Sequence, residues 1–254
     1  MIQIPRVIPV LLLKNGGLFK TQKFKDPKYV GDPINAVKIF NEKEVDELIF
    51  LDITASTEKK KPNLKLLHEI ATECFMPLCY GGGIKCIDDI KSIINSGVEK
   101  VALNSIAVES PDFVKKAADI FGSSTIVVSI DIKKNFWGKK LIYTYSGTYS
   151  TGLDPIKFAV EMQNKGAGEL LVNSVDNDGM MNGYDYELIK QISKEVDIPI
   201  IACGGAGNLQ HLQQAYNAGA SALAAGSMFV FHGPHRAVLI NYPSQKELQE
   251  IVKK

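Results

Sequence analysis

The sequence has no apolar run long enough to cross a membrane. Its longest uninterrupted apolar stretches, such as Val7–Leu13, fall far short of the roughly 18 residues that a spanning helix needs. The amino-terminal residues also lack a basic leader followed by a small-residue cleavage site. We therefore expect a cytoplasmic protein without a membrane partner.

The chain also lacks an excess of charge and any cysteine motif. Its 29 Lys and Arg residues nearly balance its 28 Asp and Glu residues, and the net charge of +1 gives no indication of a nucleic-acid partner. The cysteines form no CxxC pair and have no zinc-binding spacing, which favours reduced and mostly buried thiols. We expect no metal site and no cofactor. The cysteines are Cys74, Cys79, Cys86 and Cys203.

The chain does contain two similar glycine-rich turns, Gly81–Lys85 and Cys203–Gly207. Each follows a short apolar run that begins at a proline. Each precedes a helical pattern, a further glycine and a second apolar run that ends in serine. Four such landmarks recur at one spacing of 122 residues, which predicts two similar halves, roughly residues 1–122 and 123–254. The landmark pairs are Pro77 and Pro199, Gly82 and Gly204, Gly97 and Gly219, and Ser105 and Ser227.

Short apolar or β-branched runs alternate along the chain with segments of helical length and spacing. Such alternation predicts a parallel sheet with crossover helices. Eight units with internal two-fold symmetry and no leftover domain favour a single closed (β/α)8 barrel, which residues 1–254 are long enough to form. The candidate strands are Arg6–Leu13, Glu47–Asp52, Pro77–Tyr80, Lys100–Asn104, Ile126–Asp131, Glu169–Ser174, Ile198–Ala202 and Ala222–Ala225.

The two glycine turns are candidate phosphate sites. Glycine between a buried strand and a helix lets backbone N–H groups approach an anion, although a single Gly-Gly pair is usually only a turn. Here there are two copies, and each is paired with a second strand end that carries a small polar residue. We therefore predict two phosphate sites facing each other across one mouth, and a bis-phosphorylated substrate. The candidate phosphate-binding residues are Gly82, Gly83, Asn104, Ser105, Gly204, Gly205, Gly226 and Ser227.

Two segments interrupt the alternation. Lys14–Pro33 is a long connection with five lysines, and these could either close over an anionic substrate or lie on a solvated surface loop. Lys133–Tyr145 has the pattern of a hairpin with its turn at Asn135–Gly138. Both interpretations of the first segment stay open from the sequence alone.

Reactive groups of a (β/α)8 barrel lie at the carboxyl ends of its strands. Asp131 ends an apolar run, so burial is expected to raise its pKa toward a value useful for a general acid. The alternative, a simple cap of a helix or loop, is weaker in a mouth flanked by two anion sites. The run Val7–Leu13 before Lys14 parallels Ile126–Ile132 before Lys133 at a spacing of 119 residues, which places Leu12 opposite Asp131, where an acid–base pair would need a second carboxylate. Other candidates are Asp52, Asp176 and Asp178.

Charged residues open four of the predicted strands, where Val, Ile and Leu normally fill the barrel interior. Each of them could be part of an ordinary surface ion pair. Together, two bases and two acids could instead form a closed ring at the floor of the barrel, which would suit a gate for a small polar molecule better than it would suit stability. The four residues are Arg6, Glu47, Lys100 and Glu169.

Over nearly its whole length the chain resembles the cyclase subunit of imidazole glycerol phosphate synthase, an enzyme of histidine biosynthesis. The resemblance implies a (β/α)8 barrel and a bis-phosphorylated ribulosyl substrate. It also implies a glutaminase partner on the barrel floor that sends ammonia up the bore through the four charged residues, and a loop lysine at Lys20. The matching stretches are Asp46–Ser56, Gly81–Ile84, Tyr145–Gly147, Gly166–Glu169, Asp176–Gly179, Gly183–Asp185 and Gly204–Gly207.

The sequence departs from this family at one catalytic position. The two catalytic aspartates that the resemblance implies fall at Leu12 and Asp131, so only the second is present. One hypothesis is an ammonia-dependent cyclase that forms imidazole glycerol phosphate and AICAR, with Asp52, Asp176 or Asp178 compensating for Leu12. A second is an altered paralogue that supplies ammonia to a sugar amidotransferase in surface-polysaccharide biosynthesis. A third, a sugar-phosphate isomerase, leaves the charged residues unexplained.

Overall fold

A computed structural model describes residues 4–233 and 235–252. Strands and helices alternate along this part of the chain. The strands, in chain order, are β1 Arg6–Lys14, β2 Gly17–Gln22, β3 Lys25–Gly31, β4 Leu48–Asp52, β5 Leu78–Gly81, β6 Lys100–Leu103, β7 Ile126–Lys134, β8 Lys140–Thr144, β9 Tyr149–Ser150, β10 Glu169–Ser174, β11 Ile200–Cys203, β12 Ala222–Ala225, β13 Phe231–His232 and β14 Ala237–Val238.

Eight of these strands form a closed parallel barrel. Pairing runs from β1 through β4, β5, β6, β7, β10, β11 and β12 back to β1. The predicted (β/α)8 fold is confirmed. Of the sixteen ends of the barrel strands, eight match the prediction, seven differ by one or two residues, and β7 ends three residues later than predicted. One such difference is that Glu47 lies just before β4, which begins at Leu48.

Helices cover the outside of the barrel and follow its strands in turn. They are α1 Pro33–Glu42, α2 Leu64–Glu73, α3 Ile87–Asn95, α4 Ser105–Glu109, α5 Pro111–Phe121, α6 Pro155–Asn164, α7 Tyr186–Ile192, α8 Leu209–Asn217, α9 Ser227–Val230 and α10 Gln245–Glu250. None of the helices in the described ranges is both long enough and apolar enough to cross a membrane.

Helix starts repeat between the two halves of the chain. Asp32 caps α1 and Asp154 caps α6, each by accepting a backbone N–H bond just ahead of a proline at the first helical position. Asn63 caps α2 and Asp185 caps α7 by accepting backbone N–H bonds from Leu66 and Leu188, without a proline at the first helical position. Both pairs are 122 residues apart, the spacing of the glycine turns. The helix caps therefore follow the repeat, and the division into two half-barrels stays a prediction.

Buried apolar side chains form two groups. The larger group packs the outer face of the strands against the helices. The smaller group fills the barrel interior, referred to below as the bore, and several of its members are small. The bore residues are Ile8, Val10, Ile49, Cys79, Ala102, Val127, Leu171, Ile201, Cys203, Ala222 and Ala224, with Leu12 and Leu51 partly buried against them.

The segment Lys14–Pro33 is not an irregular loop. It continues β1 into an antiparallel hairpin of β2 and β3, referred to below as the mouth hairpin. Asn15 and Gly16 both have positive φ at the turn between β1 and β2, the pairing that favours tight hairpin turns. Phe19 of β2 packs edge-on against Tyr29 of β3, with ring centroids 5.5 Å apart. The long connection identified in the sequence is therefore an ordered hairpin, because a turn signal and cross-strand packing order the segment.

The predicted hairpin over Lys133–Tyr145 is confirmed. Strand β7 runs three residues past Asp131 because it pairs with β8 in antiparallel fashion, and Asp131 lies opposite Tyr143. The turn is closed by the backbone N–H of Gly138, which donates to the carbonyl of Asn135 over 2.9 Å.

Candidate functional site

One cavity opens at the carboxyl ends of the barrel strands, and it is called the mouth below. Leu12, Lys20 and Asp131 line it, together with Asp52 and Asp178. All of the residues predicted to bind phosphate line the same cavity, and these are Gly82, Gly83, Asn104, Ser105, Gly204, Gly205, Gly226 and Ser227. The fold therefore brings together residues that are far apart in the sequence.

The glycine turns approach their neighbours too closely for a side chain. At Gly204, with φ +85°, an added Cβ would lie 2.5 Å from the carbonyl oxygen of Ser174. At Gly82, with φ +123°, an added Cβ would lie 2.6 Å from the carbonyl oxygen of Asp52. Glycine is required at both positions for conformation and for space, and its absent side chain leaves the backbone bare at the cavity wall.

Asp131 is held by two side-chain amides. Its Oδ1 accepts from Nδ2 of Asn173 over 3.1 Å, and its Oδ2 accepts from Nδ2 of Asn104 over 3.3 Å. Burial of the carboxyl group, which the Asn173 bond only partly offsets, raises its pKa to about 7. Both the acid and the carboxylate forms are therefore populated near neutral pH, as a general acid or base requires.

Lys20 is buried beside the Gly226 turn. Its ammonium donates to the carbonyl of Val10, and burial lowers its pKa to about 8 despite the nearby charge of Asp178. An added Cβ at Gly226 would lie 2.5 Å from Nζ of Lys20, so glycine leaves the room that the ammonium occupies. The resulting cation faces the mouth at one of the two candidate phosphate sites.

Asp178 fastens the mouth hairpin over the cavity. Its Oδ2 accepts from Oγ1 of Thr21 over 2.8 Å and from the backbone N–H of Phe24 over 3.3 Å. Its carbonyl oxygen accepts from the N–H of Lys23 over 2.9 Å. Burial raises the pKa of the Asp178 carboxyl, and the bond from Thr21 opposes that rise. These contacts occupy the carboxylate and attach the mouth hairpin to the segment that follows β10.

The other two candidate aspartates, Asp52 and Asp176, bind backbone groups at separate places in the fold. The Oδ1 of Asp52 accepts from the N–H and hydroxyl of Thr54 and from the N–H of Ala55, each over 3.0 Å, so Asp52 orders the turn after β4. Asp176 lies outside the mouth in a separate surface pocket, where its Oδ2 accepts from the N–H of Lys134 over 2.9 Å. The prediction that Asp176 supports chemistry in the mouth is not compatible with this position, because the hairpin of β7 and β8 holds its carboxylate outside.

The four charged residues meet at the floor, the amino-terminal end of the barrel. Arg6 Nη1 lies 2.5 Å from Glu47 Oε2, and Arg6 Nη2 lies 3.1 Å from Glu169 Oε1. Lys100 Nζ lies 3.1 Å from a carboxylate oxygen of each glutamate. The ion pairs close a ring, called the charged ring below. Burial raises the pKa of Glu47, against the attraction of Lys100 and Arg6.

Comparisons with known proteins place the chain in a family. The family model described as histidine biosynthesis protein matches residues 6–235, which is most of the chain. The chain belongs to the histidine biosynthesis protein family.

Named relatives of this family match nearly end to end. A Pseudomonas aeruginosa protein provisionally named imidazole glycerol phosphate synthase subunit hisF2 is 51% identical over 96% of this chain and 97% of its own length. A Vibrio vulnificus protein provisionally named subunit hisF3 of the same synthase is 49% identical over 95% and 94%. Imidazole glycerol phosphate synthase subunit HisF of Thermococcus onnurineus is 43% identical over 88% of each chain.

Sequence reasoning missed one residue at the mouth of this family member. Arg236 lies between β13 and β14, and its Nη2 donates to the carbonyl of Gly179 over 3.2 Å and to Oγ of Ser227 over 3.4 Å. Position 236 follows the last barrel strand and has no charged counterpart 122 residues earlier, where the chain has Val114. The repeat therefore contained no signal for it.

Proposed function

We propose that this chain is the cyclase-type subunit of a two-subunit imidazole glycerol phosphate synthase. A glutaminase partner docks at the floor and releases ammonia into the bore. In the mouth, ammonia reacts with a bis-phosphorylated ribulosyl aminoimidazole to give imidazole glycerol phosphate and AICAR. The observation that carries the proposal is that a closed charged ring and a mouth with two candidate anion sites lie at opposite ends of one barrel bore.

The charged ring supports passage of a small polar molecule. The Oε2 of Glu169 is buried and has no hydrogen-bond partner among the described residues, so it is an acceptor ready for an N–H group. Above the ring, the bore is lined by apolar side chains that include the small residues Cys79, Ala102 and Ala222. Such walls favour neutral ammonia over the ammonium ion, because a charge without a partner is costly to desolvate.

The mouth supports proton transfer on one side of the substrate. Asp131 exchanges a proton near neutral pH, and the amides of Asn104 and Asn173 fix the position of its two oxygens. Lys20 adds a buried positive charge beside Gly226. In this arrangement Asp131 is the general acid or base, and Lys20 neutralises one phosphoryl group.

Turnover of the bis-phosphorylated substrate with ammonium salts tests the cyclase proposal directly. The expected result is imidazole product that falls about 10²–10⁴-fold in Asp131→Asn, the usual loss for a general acid or base. Asp119→Asn is the matched control, because Asp119 lies on the surface in an ion pair with Lys115. No detectable imidazole product from the unaltered chain would reject this function.

A specific observation favours a second candidate function. Leu12 lines the mouth where a second carboxylate would be needed, and Asp52 and Asp178 are both occupied by structural contacts. The chain would then act with its glutaminase as an ammonia-supplying subunit, and a sugar amidotransferase of surface-polysaccharide biosynthesis would consume the ammonia.

Binding and activation of a glutaminase, without imidazole product, is the result expected for this second function. Failure to bind or activate a glutaminase would reject both candidates, since each depends on ammonia delivered at the floor. Glu47→Gln tests the shared part of the two proposals, because it removes one carboxylate of the charged ring. It should lower ammonia delivery to the mouth without abolishing glutaminase binding.

A further inference from the structure

The chain after the last barrel strand places a guanidinium at the edge of the mouth. Strands β13 and β14 form a short antiparallel hairpin in which Phe231 lies opposite Val238. Arg236, just before β14, has φ +50°, and its guanidinium carbon lies 4.6 Å from the centroid of the Phe231 ring. A cation stacked on an aromatic face loses conformational freedom before any ligand arrives. The guanidinium is therefore positioned by its own hairpin.

Both hydrogen-bond partners of the guanidinium belong to the mouth. Nη2 of Arg236 donates to the carbonyl of Gly179 and to Oγ of Ser227, and both residues line the cavity. In the parts of the chain that the structure describes, no carboxylate pairs with Arg236. A guanidinium has five N–H donors, so the two bonds leave donors and the whole positive charge for an anion.

A second cation lies against the same turn. The buried ammonium of Lys20 lies against Gly226, and the guanidinium of Arg236 donates to Ser227, so two cations meet the Gly226–Ser227 turn. At the matching turn of the other half, no lysine or arginine of the described residues hydrogen-bonds to Asn104 or Ser105, and Lys20, the one cation among the described residues that line the cavity, lies at Gly226. The repeat gives the two candidate phosphate sites similar backbones. They are unequal in charge, because both cations lie at the Gly226–Ser227 site.

We propose that Arg236 is a ligand-binding residue that makes the Gly226–Ser227 end of the mouth the stronger of two unequal anion sites. This inference rests on the proposed function, because it assumes a substrate with a phosphoryl group at each end. The stronger site takes a dianionic phosphoryl group, which a guanidinium can bind through two parallel N–H bonds. The weaker site holds the other phosphoryl group through neutral donors and fixes the direction of the substrate.

Titration of the ¹⁵N-labelled chain with inorganic phosphate tests the assignment. The amide signals of Ser227 and Ser105 report the dissociation constant at each end in one experiment. Phosphate should bind more tightly at Ser227. Arg236→Gln should raise the dissociation constant reported by Ser227 at least about tenfold, as expected for loss of a charge-assisted bond. The constant reported by Ser105 should change less than about twofold, because the hydrogen bonds of Arg236 go to Gly179 and Ser227 and not to that turn.

Two further variants separate the specific contact from general charge. Arg236→Lys keeps the charge without the paired N–H groups and should restore only part of the affinity at Ser227. Lys25→Gln removes one exposed positive charge from the mouth hairpin and should change both constants less than about twofold.

Several outcomes overturn the inference. These are an unchanged constant at Ser227 in Arg236→Gln, equal weakening at both ends, an equal effect of Lys25→Gln, or no phosphate binding at Ser227 in the unaltered chain. Retained ammonia-dependent turnover alongside any of these results would leave the proposed function standing, so the two failures are distinguishable.

Discussion

Substitution of Asp131 by asparagine should stabilise the fold at alkaline pH and have a much smaller effect in acid. The pKa of Asp131 rises from its usual 3.8 to about 7 in the fold because the carboxyl group is buried. Ionisation therefore favours the unfolded chain. Stability that is fully present below pH 3.8 is lost progressively until about pH 7. A rise of about three units in the pKa corresponds to about 4 kcal/mol in the free energy of unfolding, at about 1.4 kcal/mol per unit.

Asparagine removes this penalty because it stays neutral. We expect Asp131→Asn to raise the free energy of unfolding by about 4 kcal/mol at pH 8.5 and by less than half as much at pH 5. The new amide can be accommodated because Oδ1 of Asn173 is buried without a partner among the described residues and can accept from it if the Asn173 amide rotates.

Urea unfolding followed by far-ultraviolet circular dichroism at several pH values measures this change. The fluorescence of the single tryptophan would report it poorly, because Trp137 is already 85% exposed in the fold. The control is Asp119→Asn, which removes a surface ion pair with Lys115 and should change stability by less than about 1 kcal/mol. A change in Asp131→Asn that is independent of pH, or that grows toward acid, would refute the reasoning.

Three further predictions concern the ring, a turn and the missing carboxylate. Glu47→Gln should destabilise the chain by about 1–3 kcal/mol in urea unfolding, less than the loss of a fully buried pair, because burial already disfavours the charge of Glu47 and its partly buried cations keep Glu169, whereas Glu73→Gln in a surface pair should cost less than about 1 kcal/mol. Gly204→Ala should cost about 1–3 kcal/mol more than Gly16→Ala in the same assay, since φ is positive at both but only Gly204 lacks space; equal costs would contradict the crowding. Leu12→Asp should raise cyclase turnover about 10²–10⁴-fold if a second acid–base group is all that is missing, and unchanged turnover would place the deficit elsewhere.

The barrel was predictable because its signals are local and repeated. Eight apolar runs, helical segments between them and one recurring spacing of 122 residues leave few topologies open. The charged ring was predictable for a related reason. A charge at the start of an otherwise apolar strand points into a barrel interior that apolar side chains normally fill, and four such strand starts meet at one end.

Features that depend on side-chain contacts across the mouth were not predictable. Asp176 and Asp178 are two residues apart and look equivalent in the sequence, yet one binds the mouth hairpin and the other lies in a separate surface pocket. The pairing of Thr21 with Asp178 spans 157 positions, so no local pattern encodes it. In contrast, Asn15-Gly16 is a local hairpin signal that the sequence did contain.

Among the ionisable groups of the described mouth, the contacts leave Asp131 alone available for acid–base catalysis, so proton transfer is favoured on one flank of a substrate. Asp131 is the only carboxylate lining the described mouth that is held by side-chain amides alone, whereas Asp52 orders a backbone turn and Asp178 holds the hairpin. Lys20 could exchange a proton, since its pKa is about 8, but in the proposed function its ammonium would have to stay charged to neutralise a phosphoryl group beside Gly226. The two roles require opposite protonation states. Under the proposed function, ring closure needs proton transfer on both flanks of the intermediate, so a chain with Leu12 would bind the substrate and admit ammonia more readily than it would complete the cyclase reaction.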